Sequence, residues 1–398
     1  MTLAGSYPPR TRGTVVVWGL LANAPFGGMT WQVLHYLAGL RRLGFDVWYV
    51  EDNDAPMQHP RDLHYAFGDP TDNLRFLERQ LRMIGLEDRW IVRMPGTNDI
   101  FGGSRERLAR LYREADAIFN LCAAHRLMDG RHDSLDSLVL IETDPIAFQV
   151  WLDEGAPELE AQLDRYRHLF TYGQNLGTSE CPVPTGRYTW RPTRPPVVTD
   201  WWADPPDADR GALTTVVNWT GGDDKDIEWR GQTYRWRKDV AFEPFLDLPA
   251  RSPLPLELAA VGMSGEQEAG LRARGWRITS ATDLNDPAAY RDYIRASLGE
   301  FTAAKEQYVI PRSGWFSDRS VCYLAAGRPV VTQETGFSRH VPTGEGLFAV
   351  SDLDQAGKAI ERIAADPERH ARAAGDIARE HFEAERVTRE IAERVGLI

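Results

Sequence analysis

Residues whose types and order could do chemistry are densest between Arg312 and Phe337, RSGWFSDRSVCYLAAGRPVVTQETGF. This stretch has the order of a turn, a short helix, a glycine stop, a strand and a second glycine turn. Ser317 or Ser313 can cap the helix, whose first backbone N–H groups lack an intrahelical acceptor. Together with the helix dipole they attract an anion. Gly314 permits a close approach to the backbone, Phe316 lies in the same turn, and Arg312 and Arg319 add positive charge. Asp318 opposes this, because a first-turn carboxylate favours the dipole yet repels a phosphate. It must turn aside or bind a hydroxyl. The same residues also suit a plain capped helix that packs CYLAAG inward. Past the strand, Glu334, Thr335 and Gly336 form a turn able to hydrogen-bond sugar hydroxyls, unless Gly336 serves the turn alone.

Other candidates are spread along the chain. NAPFGGMTW (23–31) puts Gly27 and Gly28 at a helix start, but without the G-x-G-x-x-G spacing of a nicotinamide dinucleotide site. Asn218, Arg237 and Lys238 bracket the start of the second half, where a cation can reach phosphate oxygens or simply stay solvated. His125 and Asp144 each follow a strand-like run, FNLCAA and LVLIET. Either can act as a general base when its pKa is tuned, although a single His or Asp in a loop commonly has a structural role. No metal-ligand spacing, G-x-S-x-G elbow or P-loop occurs in the sequence.

The elements that must position these residues alternate. In the first part, strands are expected at 14–20, 45–52, 90–94, 116–121, 137–144 and 168–173. Helices are expected at 31–44, 73–86 and 105–115. Residues 174–211 are rich in Pro and Trp, which marks an ordered linker. The pattern restarts with strands at 214–219, 256–262 and 276–280, a hairpin at 226–237, and helices at 240–248, 266–275 and 288–297. EFTAA and YVIP (308–311) are short strand candidates. RPVV and LFAV (347–350) are strands, and three helical segments close the chain. Strands separated by helices imply doubly wound parallel sheets with ligands at one edge. The expected units are 1–173, the linker 174–211, 212–380, and a C-terminal helix at 381–398 that crosses back to the first unit.

Composition narrows the function. The 398-residue chain carries a net charge of −12, which argues against a nucleic-acid partner bound by phosphate neutralisation. Its sequence lacks an eighteen-residue apolar run or a signal-like start, so a cytoplasmic location is expected. The three cysteines are far apart and suit free thiols. Thirteen Trp and thirteen Tyr leave some aromatics to line a surface for sugars or flat ligands.

The segment from Arg312 to Val350 resembles the donor-binding segment of GT-B-fold glycosyltransferases. It is most similar to a bacterial group with an S-G-W-F-S-D-R motif, a Cys/Ala-rich helix, G-R-P-V-V and T-G-F. These stand here at 313–319, 327–331 and 335–337. Weaker similarity runs through GGMTW (27–31), TDP (143–145), FTYGQN (170–175), WRPTRPPVV (190–198) and KDVAFEPFLDLP (238–249). The resemblance implies an α/β chain of two Rossmann-like domains facing a central cleft, the first for an acceptor and the second for a nucleotide sugar. It implies hexosyl or deoxyhexosyl transfer from a dTDP- or UDP-sugar to a hydroxyl or amine of a natural product or glycan. No metal and no cofactor beyond that co-substrate is implied. The helix at Ser317–Asp318, with Lys238, would hold the diphosphate, and Glu334 and Thr335 the sugar or diphosphate. A same-fold epimerase or an inactive partner protein are the alternatives. Retaining members often carry Glu-x7-Glu where this chain has Gly314 and Cys322.

Overall fold

The computed structural model describes residue 3 and residues 7–60, 65–66, 69–97, 99–204, 209–222 and 225–398. The first residues of the expected N-terminal unit (1, 2 and 4–6) and residues 205–208 of the expected linker lie outside the described residues. The first sheet is built from β1 (Thr14–Trp18), β2 (Asp46–Glu51), β3 (Trp90–Arg93), β4 (Ile100–Phe101), β5 (Ala117–Leu121), β6 (Leu138–Glu142), β7 (His168–Thr171) and β8 (Trp190–Pro192). Their order is 8-7-6-5-1-2-3-4, parallel throughout except for the β3–β4 edge pair. Runs such as VVVW and LVLI are buried on both faces, which is why they read as continuous apolar strands.

The second sheet contains β9 (Leu213–Asn218), β10 (Leu256–Val261), β11 (Arg277–Ser280), β12 (Gly299–Thr302), β13 (Val330–Gln333) and β14 (Leu347–Val350). These are ordered 11-10-9-12-13-14, all parallel. In each sheet the order reverses once, beside β1 in the first and beside β9 in the second. A crevice opens beyond the strand ends at such a point.

Five helices matter for the site: α1 (Gly27–Arg42), α2 (Thr71–Met83), α3 (Pro287–Arg295), α4 (Asp318–Ala325) and α5 (Ala384–Arg394). α1 is buried along almost its whole length because α3 and α5 cover what the first sheet leaves open. The closest approach is at Gly39, where an added Cβ would lie 2.7 Å from Ala384 O and Thr388 Oγ1. α5 therefore packs on the first half of the fold. Residue Val197 of the Pro-rich segment pairs with the chain just before it, Ala384 N donating to Val197 O at 2.8 Å. One apolar core runs through both halves, taking in Val17, Leu34 and Tyr172 with Tyr290, Phe316, Val321 and Phe382. Trp201 and Trp202 are buried in it. No helix among the described residues is long and apolar enough to cross a membrane.

Two expectations change. YVIP is not a strand: residues Glu306–Val309 form a helical turn, Ile310 N donating to Glu306 O at 3.0 Å, so the chain can reverse toward Ser313. The linker region also contributes β8, three residues that pair with β7.

Candidate functional site

A cavity of about 470 Å³ lies where the two crevices face each other. From the first half it is lined by Phe26, the α1 start at Gly27, Gly28 and Met29, then Gln32, Cys122, Thr143 and Asp144. The second half supplies Asn218, Asn285, Lys305, Ser317, Asp318 and Arg319, with Val216, Val261, Ala281, Leu284 and Tyr290 making an apolar wall. A larger groove of about 590 Å³, between α2 and Thr282–Asp286, meets this cavity at Asn285.

Two helix N-termini open on the cavity. α1 starts after Phe26, which offers no side-chain cap, so its first N–H groups remain without that partner. α4 is capped by Ser317, whose Oγ accepts from Arg319 N at 3.2 Å. Cys122 (φ 57°) and Ala123 (φ 51°) after β5, and Ile146 (φ 96°) just past Asp144, hold left-handed backbone that is costly for residues with side chains. Such strain gathers where a chain edge is shaped for a ligand.

The charges are unevenly paired. Arg319 is spent on the protein: Nε meets Glu300 Oε1, Nη1 donates to Val216 O at 3.0 Å, and Nη2 to Thr302 Oγ1 at 2.9 Å. Lys305 faces Asp144 at 3.8 Å and sits over the Trp236 ring. Burial pushes its amine down to about 8, against the pull of Asp144. Lys238 donates to Ala303 O and has no carboxylate partner among the described residues. Burial pushes it well below the ordinary lysine range, and Arg319 and Lys305 push the same way. The cations that line the cavity are thus Lys305 and Arg319, and Arg319 is already held by Glu300.

Asp318 is the counterpart. Burial lifts its carboxyl to about 7, opposed by hydrogen bonds from Gln32 and Tyr172, and the nearby Asp144 raises it further. Tyr172 O–H donates to it at 3.3 Å. Its hydrogen bonds run to the first half of the molecule, while the residue still lines the cavity. Asp144 is half-exposed, and its carboxylate accepts from Tyr308 O–H. Two residues earlier, burial lifts Glu142 to about 8, where Thr171 and Gln149 hold it.

Of the residues singled out in the sequence, Gly27, Gly28, Asn218, Asp144, Ser317, Asp318 and Arg319 converge on the cavity. The rest of the motif faces elsewhere. Gly314 (φ 79°) and Gly336 (φ 94°) close on Asn175, which follows β7: an added Cβ would lie 2.9 Å from Asn175 N and 2.3 Å from its Nδ2. Asn175 N donates to Ser313 O at 2.9 Å, its Nδ2 to Arg312 O at 2.8 Å, and its Oδ1 meets His340 Nε2 at 2.7 Å. Both glycines are therefore needed for a protein side chain rather than for a phosphate or a sugar. Thr335 Oγ1 donates to Trp315 O, the Glu334 carboxylate accepts from Gly336 N, and Ser313 Oγ donates to Tyr308 O. Phe316 stacks between Phe337 and Phe382, and Arg312 points outward to Glu180.

His125 is also displaced from the role expected of it. Its ring stacks 4.6 Å from Trp18 in the core, Nε2 lies 3.3 Å from Gly19 O, and burial drives it down to about 3. A histidine so buried is a weak base and is not among the residues lining the cavity. Lys305, Gln32, Asn285 and Tyr290 were missed. Only Lys305 carried a signal, a lone Lys just past the EFTAA strand.

No family profile and no curated protein matches the chain. Solved structures do. Anabaena Alr3699/HepE in complex with UDP is 13% identical over 97% of this chain and 100% of its own, with a TM-score of 0.55. An alpha-glucosyltransferase in complex with UDP and a 13-mer DNA is 11% identical over 97% and 99%, with a TM-score of 0.57. AviGT4, a glycosyltransferase involved in avilamycin A biosynthesis, is 12% identical over 97% and 97%, with a TM-score of 0.51. At these identities the likeness is one of fold: two Rossmann-like domains across a cleft, the GT-B architecture.

Proposed function

We propose that the protein is a glycosyltransferase that moves a sugar from a nucleoside diphosphate sugar to a hydroxyl or amine of a small-molecule or glycan acceptor. The observation that carries this is that one cavity joins an apolar wall to a charged helix start. Val216, Val261, Ala281, Leu284 and Tyr290 suit a flat base, and Lys305 with the α4 start suits a diphosphate. Uracil is the favoured base, since solved structures similar to this chain include complexes with UDP and UDP-glucose.

In this reading Lys305 and the α4 start stabilise the charge that builds on the departing diphosphate, while Lys238, expected to help, is buried on Ala303 O outside the cavity lining. Asn218 and Asp318 face the sugar hydroxyls, and Asp144 takes the proton of the acceptor, which enters along the α2 groove. Among the described residues no group of three or more His, Cys, Asp or Glu is placed to hold a metal.

Thermal unfolding with UDP, dTDP and GDP tests the reading. A nucleotide at a hundred times its Kd should stabilise the fold by about 2.7 kcal/mol. No shift with any of the three would overturn it.

A further inference from the structure

Lys305 and Asp144 come from opposite halves of the chain and meet in the cavity, Nζ 3.8 Å from Oδ1. Their anchoring is unequal. Asp144 is held from behind by Tyr308 O–H, and the Tyr308 ring stacks 4.2 Å from Trp315. Trp315 Nε1 in turn donates to Thr143 O at 2.9 Å, so both the side chain and the preceding backbone are fixed. Lys305 has no second carboxylate among the described residues; its other neighbours are the Trp236 and Tyr308 rings. The cations near it are Lys225, Lys238 and Arg319, and the last already belongs to Glu300.

We propose that Asp144 is a stand-in anion that occupies Lys305 while the cavity is empty. This rests on the reading that the cavity takes a nucleoside diphosphate sugar. A diphosphate brings more charge and more acceptor oxygens than one half-exposed carboxylate, so it takes Lys305 over. Asp144 keeps its bond to Tyr308 and is released from its cation, free to accept a proton. The acceptor O–H proton then passes to Asp144, and the acceptor oxygen forms a bond to the anomeric carbon. The bond from that carbon to the phosphate oxygen breaks, and its electron pair leaves on the diphosphate beside Lys305. Donor binding thereby arms the base, and the donor precedes the acceptor.

UDP titration calorimetry on the wild type, Asp144→Asn, Lys305→Gln and the double variant tests this. Asp144→Asn should lower the UDP Kd roughly three- to tenfold, the scale of a partly screened pair. Lys305→Gln should raise it by about tenfold or more, the scale of a lost charge-assisted contact. In the Lys305→Gln background, the Asp144→Asn gain should disappear. Unchanged or weaker UDP binding by Asp144→Asn, or a gain that persists without Lys305, overturns the proposal while leaving the nucleotide site intact. Absence of UDP binding by the wild type overturns the nucleotide reading and the proposal with it. Should Asp144→Asn fail to fold, Asp144→Ser carries the same expected sign.

Discussion

Burial lifts the Asp318 carboxyl to about 7, well above the usual carboxylate range, so the native chain binds a proton that the unfolded chain releases. That contribution to stability is full below about pH 4 and is lost as pH rises through 7. Asp318→Asn should therefore match the wild type in melting temperature near pH 4, and gain about 1–2 kcal/mol by pH 8. An equal gain at both pH values would assign the effect to packing. The same variant should lose turnover, since Asp318 faces the cavity. At the other expected base, His125→Ala should cost about 2–3 kcal/mol by chemical denaturation, for its core contact with Trp18. The folded fraction should keep kcat and KM within about twofold, whereas Asp144→Asn should lower kcat by about a hundredfold or more.

The clasp between β7 and the 312–336 segment is where an element-scale substitution speaks most clearly. Gly336→Ala forces a side chain onto left-handed backbone and drives Cβ against Asn175. Gly344, also at positive φ (106°), has nothing within 4 Å of an added Cβ. Gly344→Ala should cost about 1 kcal/mol of strain alone, and Gly336→Ala about 2–4 kcal/mol, read as midpoint shifts in urea. Equal costs would mean that Asn175 yields. This clasp also explains what the sequence could and could not say. Runs such as TVVVW and LVLIE were legible as strands because burial on both faces leaves one reading. Gly314 and Gly336 were legible as sites of close approach, but glycine looks the same whether a phosphate or an asparagine comes near. YVIP looked like a strand because aromatic and β-branched residues favour one; its helical turn is set by where the chain must go next. Lys305 matters because β12 lies beside β9, a neighbourhood that no local window contains.

Across the whole molecule, buried carboxyls set the pH response. Glu51 is lifted by burial to about 7 and Glu142 to about 8, as Asp318 is to about 7. Each makes the fold less stable as pH rises from about 4 toward 8. Asp52 runs the other way: burial alone would raise it, but bonds to His132 and Arg93 hold it well below the ordinary range, so its contribution is lost only in strong acid. Calorimetry should place the highest melting temperature between about pH 4 and 6. Because one core runs through both halves, a single unfolding transition is expected, and two separated transitions would contradict that continuity.

The seat of α5 on α1 has a consequence for how the protein is made. Residues 384–394 cover a face of the helix at 27–42, and Gly39 admits them at contact distance. During synthesis that face waits, apolar and open, while some 200 residues beyond the first sheet are still being added. At about 5–20 residues per second the wait lasts roughly 10–40 s, long enough for a chaperone to matter. A chain released short of residue 384 would keep the strands of its first sheet yet carry an unhealed apolar face.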